Sequence, residues 1–368
     1  MRKSARLNVL ILPLLAAVLF GCAPPAGTTA PGAPAPDPGA VRWTVAAHPH
    51  IDLWYHGLAL TGFGEAPVLP IYQPDYPAQV QAAKRGAGIT ATPLDQQAAD
   101  LARRFAAEPR YAALQFLPLY FPTGEMLFTA IRAWAQVEGD PRRVQDPTLA
   151  QMVAFLAQQF PTAEQRRVVG GWVELLEEEQ RLFFGRYRAE RMQDLGGVQS
   201  AVQARWDPLA DRLRPLLDYL ILNQGELTLS FPLGPEGRTL NQGRQNNRVA
   251  VGIPDPADPS SVVWAFLHEL MYPLVAPVVQ DQLSPAQRRE VDEQRLTIAA
   301  AVRAGAIVLD RLSPEDAPAY RAAYLRWVGA AVPAAAAQRD AAMARAFPIP
   351  DPLPRAIADA VDVALQGI

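Results

Sequence analysis

Apolar residues recur at helical spacing through most of the chain after its first forty residues. Ile51, Trp54 and Leu58 lie on one stripe and a glycine follows them, which is the pattern of a helix that ends at a glycine. The same spacing predicts helices in 93–108, 122–140, 147–160, 161–192 and 199–224, and again from 284 to the end with breaks near Ser313, Pro333 and 347–354. Gly170 and Gly171 predict a kink in the longest of these helices.

A different pattern appears in the middle of the chain. Leu227, Leu229 and Phe231 alternate with polar residues, which is the period of a half-buried strand. The segment 235–247 is rich in Gly and Asn and is typical of a loop, and 248–253 indicates a second short strand. We therefore expect an α+β fold that is predominantly α-helical and contains a small antiparallel sheet.

The helix predicted over 261–272 is apolar on nearly every side, which indicates that it is buried. It nevertheless contains His268 and Glu269, whose burial costs free energy unless each side chain has a partner. Residues four apart share a helix face, so His268 and Tyr272 point the same way, and Glu269 lies about 100° around the axis.

His268 and Glu269 begin as the zinc-peptidase motif H-E-x-x-H begins, but Tyr272 stands in place of the second histidine. In that motif the histidines bind zinc and the glutamate is the base that acts on zinc-bound water. A phenol with a pKa near 10 must lose its proton to bind zinc well. Three interpretations stay open: a degenerate metal site, an active site completed by Tyr272 or a distant histidine, and a satisfied pair in a protein core.

A third metal ligand is expected downstream of the motif. Glu293 stands 25 residues after His268 and shares a stripe with Leu296 and Ala300, so it lies at the edge of a buried helix face. Glu290, one turn earlier, is the alternative.

The run SSVVWAFLHELMYPLVAPVV, followed by DEQRLTIAAAVRAG, resembles the core of an uncharacterised bacterial gluzincin-like family of zinc metallopeptidases. The resemblance covers about residues 225–310. It implies a zincin-like core with the small sheet packed on the motif helix, His268 as first ligand, Glu269 as general base and Glu293 as third ligand. The departure at Tyr272 implies that zinc is absent or weakly bound.

The N-terminus has a basic start followed by an apolar run of about fourteen residues, the length of a signal-peptide core and too short to span a bilayer comfortably. The run ends in Leu-Phe-Gly-Cys, which resembles the lipobox of bacterial lipoproteins. This resemblance implies a signal peptide over 1–21, a lipid on Cys22 and a Pro/Ala/Gly-rich tether over 22–40. We expect a cell-envelope protein that is lipid-anchored at the outer membrane or another extracytoplasmic face.

Composition narrows the chemistry further. Cys22 is the chain's only cysteine, so the mature domain has no disulfide, thiolate ligand or cysteine nucleophile. Loss of the three basic residues in the signal leaves 34 − 3 = 31 basic against 37 acidic residues, a net charge of −6. With no basic patch and no phosphate-binding glycine motif, nucleic acid and nucleotide are not expected as partners.

The expected organisation is a helical N-terminal region over 41–224 and a zincin-like region with C-terminal helices over 225–368. The first functional hypothesis is a pseudopeptidase that binds an envelope peptide or protein, or is structural. The alternatives are an active zinc-dependent peptidase and a helical envelope scaffold with no cleft function.

Three further features allow a functional and an ordinary interpretation each. Asp52 and His56 are four residues apart, which suits either a replacement ligand with an orienting carboxylate or a common helix-surface pair. Tyr187 is a candidate oxyanion donor. The segment 237–248 is either a clamp for an acidic ligand or an exposed hairpin loop.

Overall fold

The computed structural model describes residues 41–64, 68–253, 255, 257–284, 287 and 291–366. The predicted signal peptide, Cys22, the tether up to residue 40 and Glu290 lie outside the described residues. Within them the chain is a predominantly helical α+β protein with one small sheet, which confirms the predicted fold class.

Helices form in most of the segments where they were predicted, and also over 76–86, where none was predicted. They are α1 (Pro49–Thr61), α2 (Tyr76–Gly86), α3 (Pro93–Ala107), α4 (Gly124–Gln136), α5 (Pro147–Gln159), α6 (Ala163–Glu179), α7 (Gly185–Asp194), α8 (Gly196–Arg212), α9 (Arg214–Tyr219), α10 (Pro259–Gln282), α11 (Glu293–Leu312), α12 (Ala317–Trp327), α13 (Ala336–Ala346) and α14 (Leu353–Gln366). Short 3₁₀ turns occupy Pro109–Gln115, Leu117–Tyr120 and Pro141–Arg143. The side chains of Thr92, Thr123 and Thr162 cap α3, α4 and α6 by accepting hydrogen bonds from backbone amides in the first turn.

The irregularity in the long helical segment does not fall where the glycines predicted it. α6 continues through Gly170 and Gly171, and a π-helical turn over Gln180–Phe184 joins it to α7. This turn begins directly after the buried Glu179 and places Phe184 against the ring of His56, with the ring centroids 4.4 Å apart. Packing around a buried polar side chain, rather than a weak helix-forming pair, sets the position of the irregular turn.

In the described part of the chain, four strands form one sheet. They are β1 (Arg42–Ala46), β2 (Gln224–Leu229), β3 (Arg238–Leu240) and β4 (Asn247–Val251), in the order β1-β2-β4-β3. β1, β2 and β4 are parallel, and only β3 runs antiparallel to its neighbour. The sheet is therefore mixed, and the expected antiparallel pairing is found only between β3 and β4. The two predicted strands, β2 and β4, are parallel because residues 230–246 connect them by a long crossover and not by a tight hairpin.

Helix α10 is the central element of the core. It extends ten residues past Tyr272, through Pro273 and Pro277, so the predicted end at Tyr272 was too early. It is long and apolar enough to cross a membrane by length and composition, but most of it is buried inside the protein, as in the core helix of a globular domain. It packs on β3, β4, α8, α11 and α14.

Candidate functional site

Four side chains from α10 and from the segment before β3 meet inside the protein. His268, Glu269 and Tyr272 come from one side of α10, and Glu236 comes from the chain just before β3. His268 is 0% exposed, Glu269 2% and Glu236 4%. These four residues are called the Glu236 cluster below.

Glu236 bridges the two motif positions of α10. Its Oε2 lies 3.0 Å from Nε2 of His268, and its Oε1 accepts a hydrogen bond from the Tyr272 hydroxyl at 2.5 Å. One carboxylate therefore contacts both side chains that would bind zinc in an H-E-x-x-H helix.

Glu269 is held by the strand side of the cluster. Its Oε1 accepts the Gly237 N–H at 2.8 Å, and its Oε2 accepts the Thr239 hydroxyl at 2.7 Å. A Cβ on Gly237 would lie 2.6 Å from the Ala250 carbonyl oxygen and 2.9 Å from Cγ of Glu269. Glycine is thus required for the backbone to approach this carboxylate so closely.

The electrostatics of the cluster follow from burial and from the proximity of two carboxylates. Burial, reinforced by repulsion from Glu236, raises the pKa of Glu269 to about 7. Burial opposes a charge on His268, but attraction to Glu236 and to Glu269 outweighs it and raises the pKa of His268 above its ordinary value. Burial and the neighbouring carboxylates raise the pKa of Tyr272 well above 10. In this environment Tyr272 is a neutral hydrogen-bond donor.

The donor atoms have the spacing that a metal ion needs. One ligand atom each from Glu236, His268 and Glu269 lies within 4.8 Å of the others, and Nε2 of His268 is 3.9 Å from Oε1 of Glu269. Ligands about 2.0–2.2 Å from zinc in a tetrahedral site are about 3.3–3.6 Å apart. Small movements would bring these three residues to zinc-binding distances.

Other features fit a catalytic zinc site poorly. Nδ1 of His268 is buried and has no hydrogen-bond partner among the described residues, whereas the second nitrogen of a zinc-binding histidine usually donates to an orienting acceptor. His268 is 0% exposed and Glu269 2%. A hydrolytic site needs room for water and substrate beside the metal.

Glu293, the expected third ligand, is the first residue of α11 and is partly exposed. The group of close donor atoms found in the described part of the chain does not include it. Sequence reasoning missed Glu236, which takes the place expected for Glu293 beside His268. A signal for it existed: between residues 225 and 253 the acidic residues are Glu226 and Glu236 alone, and a buried histidine nearby needs an anionic partner.

The other candidate residues lie outside this cluster. His56 is fully buried between Tyr76 and Glu179, with ring-nitrogen distances of 2.9 and 3.0 Å. Asp52 is equally buried and accepts hydrogen bonds from Arg188 and from the Phe231 N–H, not from His56. The expected helix-surface pair between Asp52 and His56 was therefore wrong. Tyr187 is 8% exposed and stacks on Phe183.

No protein-family model, curated protein or solved structure matches this chain. The chemistry of the Glu236 cluster is therefore judged from its own atoms. In it, the Glu236 carboxylate is hydrogen-bonded to an imidazole and a phenol, and the Glu269 carboxylate lies beside them with its own hydrogen bonds to Gly237 and Thr239.

Proposed function

We propose that the chain is a lipid-anchored cell-envelope protein whose zincin-like domain is a non-catalytic pseudopeptidase. The observation that carries this proposal is the bridge from Glu236 to His268 and Tyr272. A carboxylate in that position gives Nε2 of His268 and the Tyr272 hydroxyl a hydrogen-bond partner without a metal. The hydrogen bonds of the Glu236 cluster then hold β3 and the preceding loop against α10.

Burial supports a structural role over a hydrolytic one. Peptide hydrolysis by a zinc enzyme needs an open coordination position and a glutamate free to take a proton from water. In the Glu236 cluster both oxygens of Glu269 accept hydrogen bonds from the strand side, and the residue is 2% exposed. Such a glutamate holds protein groups together and does not face a substrate.

Zinc-dependent activity is the second candidate, and the spacing of the donor atoms favours it. If zinc binds, His268 and Glu236 would hold it, with Tyr272 or Glu269 as a further ligand, and the ion would supply Lewis-acid activation of water. Elemental analysis of residues 41–368, purified without chelator, separates the two candidates. We expect much less than one zinc per chain; a full equivalent that is lost in His268→Ala would favour the peptidase.

Restoring the second histidine tests the geometry of the proposed site. We expect Tyr272→His to bind zinc at least about tenfold more tightly than the natural chain, because imidazole is a far better neutral ligand than a phenol. The gain should disappear in Tyr272→His/Glu236→Gln and persist in Tyr272→His/Glu293→Gln. The reverse pattern would make Glu293 the third ligand and would contradict the role given to Glu236.

The anchor is tested separately from the cluster. Full-length protein should partition with the membrane fraction, and Cys22→Ser should be neither lipid-labelled nor membrane-bound. A Cys22→Ser chain that keeps its lipid label would remove the lipoprotein part of the proposal and leave the Glu236 cluster untouched.

A further inference from the structure

A polar groove opens where the parallel strands begin, and no residue of the Glu236 cluster lines it. It has a volume of about 370 Å³, which is within the range of small-ligand sites. Arg42 and Gln224 are the first residues of β1 and β2 and are register partners, as are Glu226 and Arg248 on β2 and β4. We call this cavity the sheet groove.

The loop that forms one wall of the sheet groove is held in a fixed shape. Asn247, 2% exposed, donates through Nδ2 to the carbonyls of Gln224 and Gly243 at 2.8 and 2.7 Å, and its Oδ1 accepts the Gln242 N–H at 2.7 Å. Asn246 adopts a left-handed backbone, with φ of 63°. Gln242 and Asn246 thus line the groove on a loop that the hydrogen bonds of Asn247 hold in place.

Most charges in the groove wall already have partners. Arg248 donates to the carbonyls of Leu119 and Phe121 at 3.0 and 2.9 Å, and its Nε is 3.3 Å from Oε1 of Glu226. Glu226 also lies 2.8 Å from the ring of His48. The negative charge of Glu226 is therefore balanced by protein groups.

Arg42 is the exception. It is exposed, lines the groove, and has no ion-pair or side-chain hydrogen-bond partner among the described residues. A guanidinium presents a planar fork of N–H groups that matches a carboxylate, and neighbouring amides complete recognition of polar ligands. Among the described residues that line the groove, Arg42 alone offers an unpaired positive charge, and the nearby Glu226 is already paired. A ligand group with a single negative charge therefore suits the groove better than a phosphate dianion.

We propose that the sheet groove binds the carboxylate of a small polar ligand through Arg42, with the amides of Gln242 and Asn246 contacting its other polar groups. The ligand is either a peptide with a free C-terminus or an acidic sugar. The sequence allowed two interpretations of the segment 237–248, a clamp for an acidic ligand and an exposed hairpin loop. Under this proposal the segment helps to bind an acidic ligand. This proposal does not depend on lipid anchoring or on the Glu236 cluster.

Titration calorimetry or NMR on residues 41–368 tests the proposal with four probes: acetyl-dialanine, its C-terminal amide, glucuronate and inorganic phosphate. At least one of the two carboxylates, acetyl-dialanine and glucuronate, should bind at millimolar concentration. Tighter binding of acetyl-dialanine would indicate a peptide ligand, and tighter binding of glucuronate an acidic sugar. The amide should not bind. Arg42→Gln should weaken carboxylate binding by roughly tenfold or more, the loss expected for one charge-assisted contact.

Arg244→Gln is the matched control. Arg244 is an exposed arginine in the loop between β3 and β4, and it does not line the groove. Its binding should equal that of the natural chain. The proposal is overturned by any of four results: no carboxylate binds, phosphate binds more tightly, the amide binds as well as the acid, or Arg42→Gln has no effect in a folded protein.

Discussion

Glu236 is the shared hydrogen-bond acceptor of two polar side chains of α10, the buried His268 and the partly buried Tyr272. Replacing it with leucine leaves His268 and Tyr272 without their shared acceptor, and breaking a buried ion pair typically costs about 3–5 kcal/mol. Glu236→Gln keeps an acceptor and a donor of the same shape, so we expect a loss of about 1 kcal/mol. Urea unfolding at neutral pH measures both changes.

Glu293→Leu is the control for this series. Glu293 is partly exposed at the start of α11, so its replacement should change the free energy of unfolding by less than about 0.5 kcal/mol. A large loss in Glu293→Leu, together with a small one in Glu236→Leu, would contradict the partnership described for His268.

Glu269 gives the cluster a pH dependence of known sign. Its pKa is raised by burial to about 7 in the folded protein, from 4.5, so between these values the folded state binds more protons than the unfolded state. Stability contributed by this group therefore falls as pH rises from about 4.5 to 7. His268, whose pKa is also raised, acts in the same direction.

The variant Glu269→Gln removes that contribution together with the part of the raised His268 pKa that Glu269 causes. Its amide oxygen can still accept the Gly237 N–H, but it has no proton to lose. Relative to the natural chain, the variant should gain up to about 3 kcal/mol of stability between pH 4.5 and 7.5. His50 and Glu179, whose lowered pKa values act oppositely, are present in both proteins and cancel. Parallel stability curves would refute the raised pKa.

The sequence predicted three of the four residues of the Glu236 cluster and missed Glu236 itself. His268, Glu269 and Tyr272 were identified because helical spacing alone places them near one another. Glu236 is 32 residues away from His268 in a segment without regular spacing, so only the tertiary fold brings it there. Glu293 was expected from a family resemblance, and no spacing rule tied it to His268.

At the scale of elements, the contact between α10 and the edge of the sheet depends on Gly237. A methyl group there would press on the Ala250 carbonyl and on Glu269, so we expect Gly237→Ala to destabilise the protein by about 1–3 kcal/mol. Thermal unfolding followed by circular dichroism measures the effect.

At Gly171, within the regular helix α6, we expect replacement by alanine to stabilise the protein, in contrast to Gly237→Ala. A Cβ at Gly171 meets no described atom within 4 Å, and α6 is continuous through this position. Gly171→Ala should therefore stabilise the protein by about 0.5–1 kcal/mol, since alanine is the better helix former. Destabilisation in Gly171→Ala would indicate that the helix needs the kink predicted from its glycines.

Helices with several turns of apolar periodicity were predicted from the sequence, and so were β2 and β4, whereas β1 and β3 were not. α3, α4 and α5 each show a clear stripe of apolar residues. β3 has three residues inside a Gly- and Asn-rich segment, too few for an alternation to be visible. Strand direction depends on where the crossover passes, which is a property of packing and not of local sequence.

For the whole molecule, contacts join the two regions into which the sequence was divided. β1 pairs along its length with β2. Nε of Arg238 donates to Gln115 at 2.8 Å within the protein interior, and the buried Asp52 accepts the Phe231 N–H at 3.2 Å. The sheet and the core are thus shared between 41–224 and 225–368.

This sharing predicts that neither region folds alone. In isolated 225–368, β2 loses its parallel neighbour β1, which leaves a new sheet edge, and the buried Arg238 loses Gln115 while keeping the Gly237 carbonyl and Glu236. We expect that fragment to show no cooperative unfolding transition, whereas co-expression of 41–224 and 225–368 should yield a complex that unfolds cooperatively. A cooperative transition in 225–368 by itself would show that β1 and the N-terminal helices add little to the stability of that region. The Glu236 cluster would then belong to an independent domain.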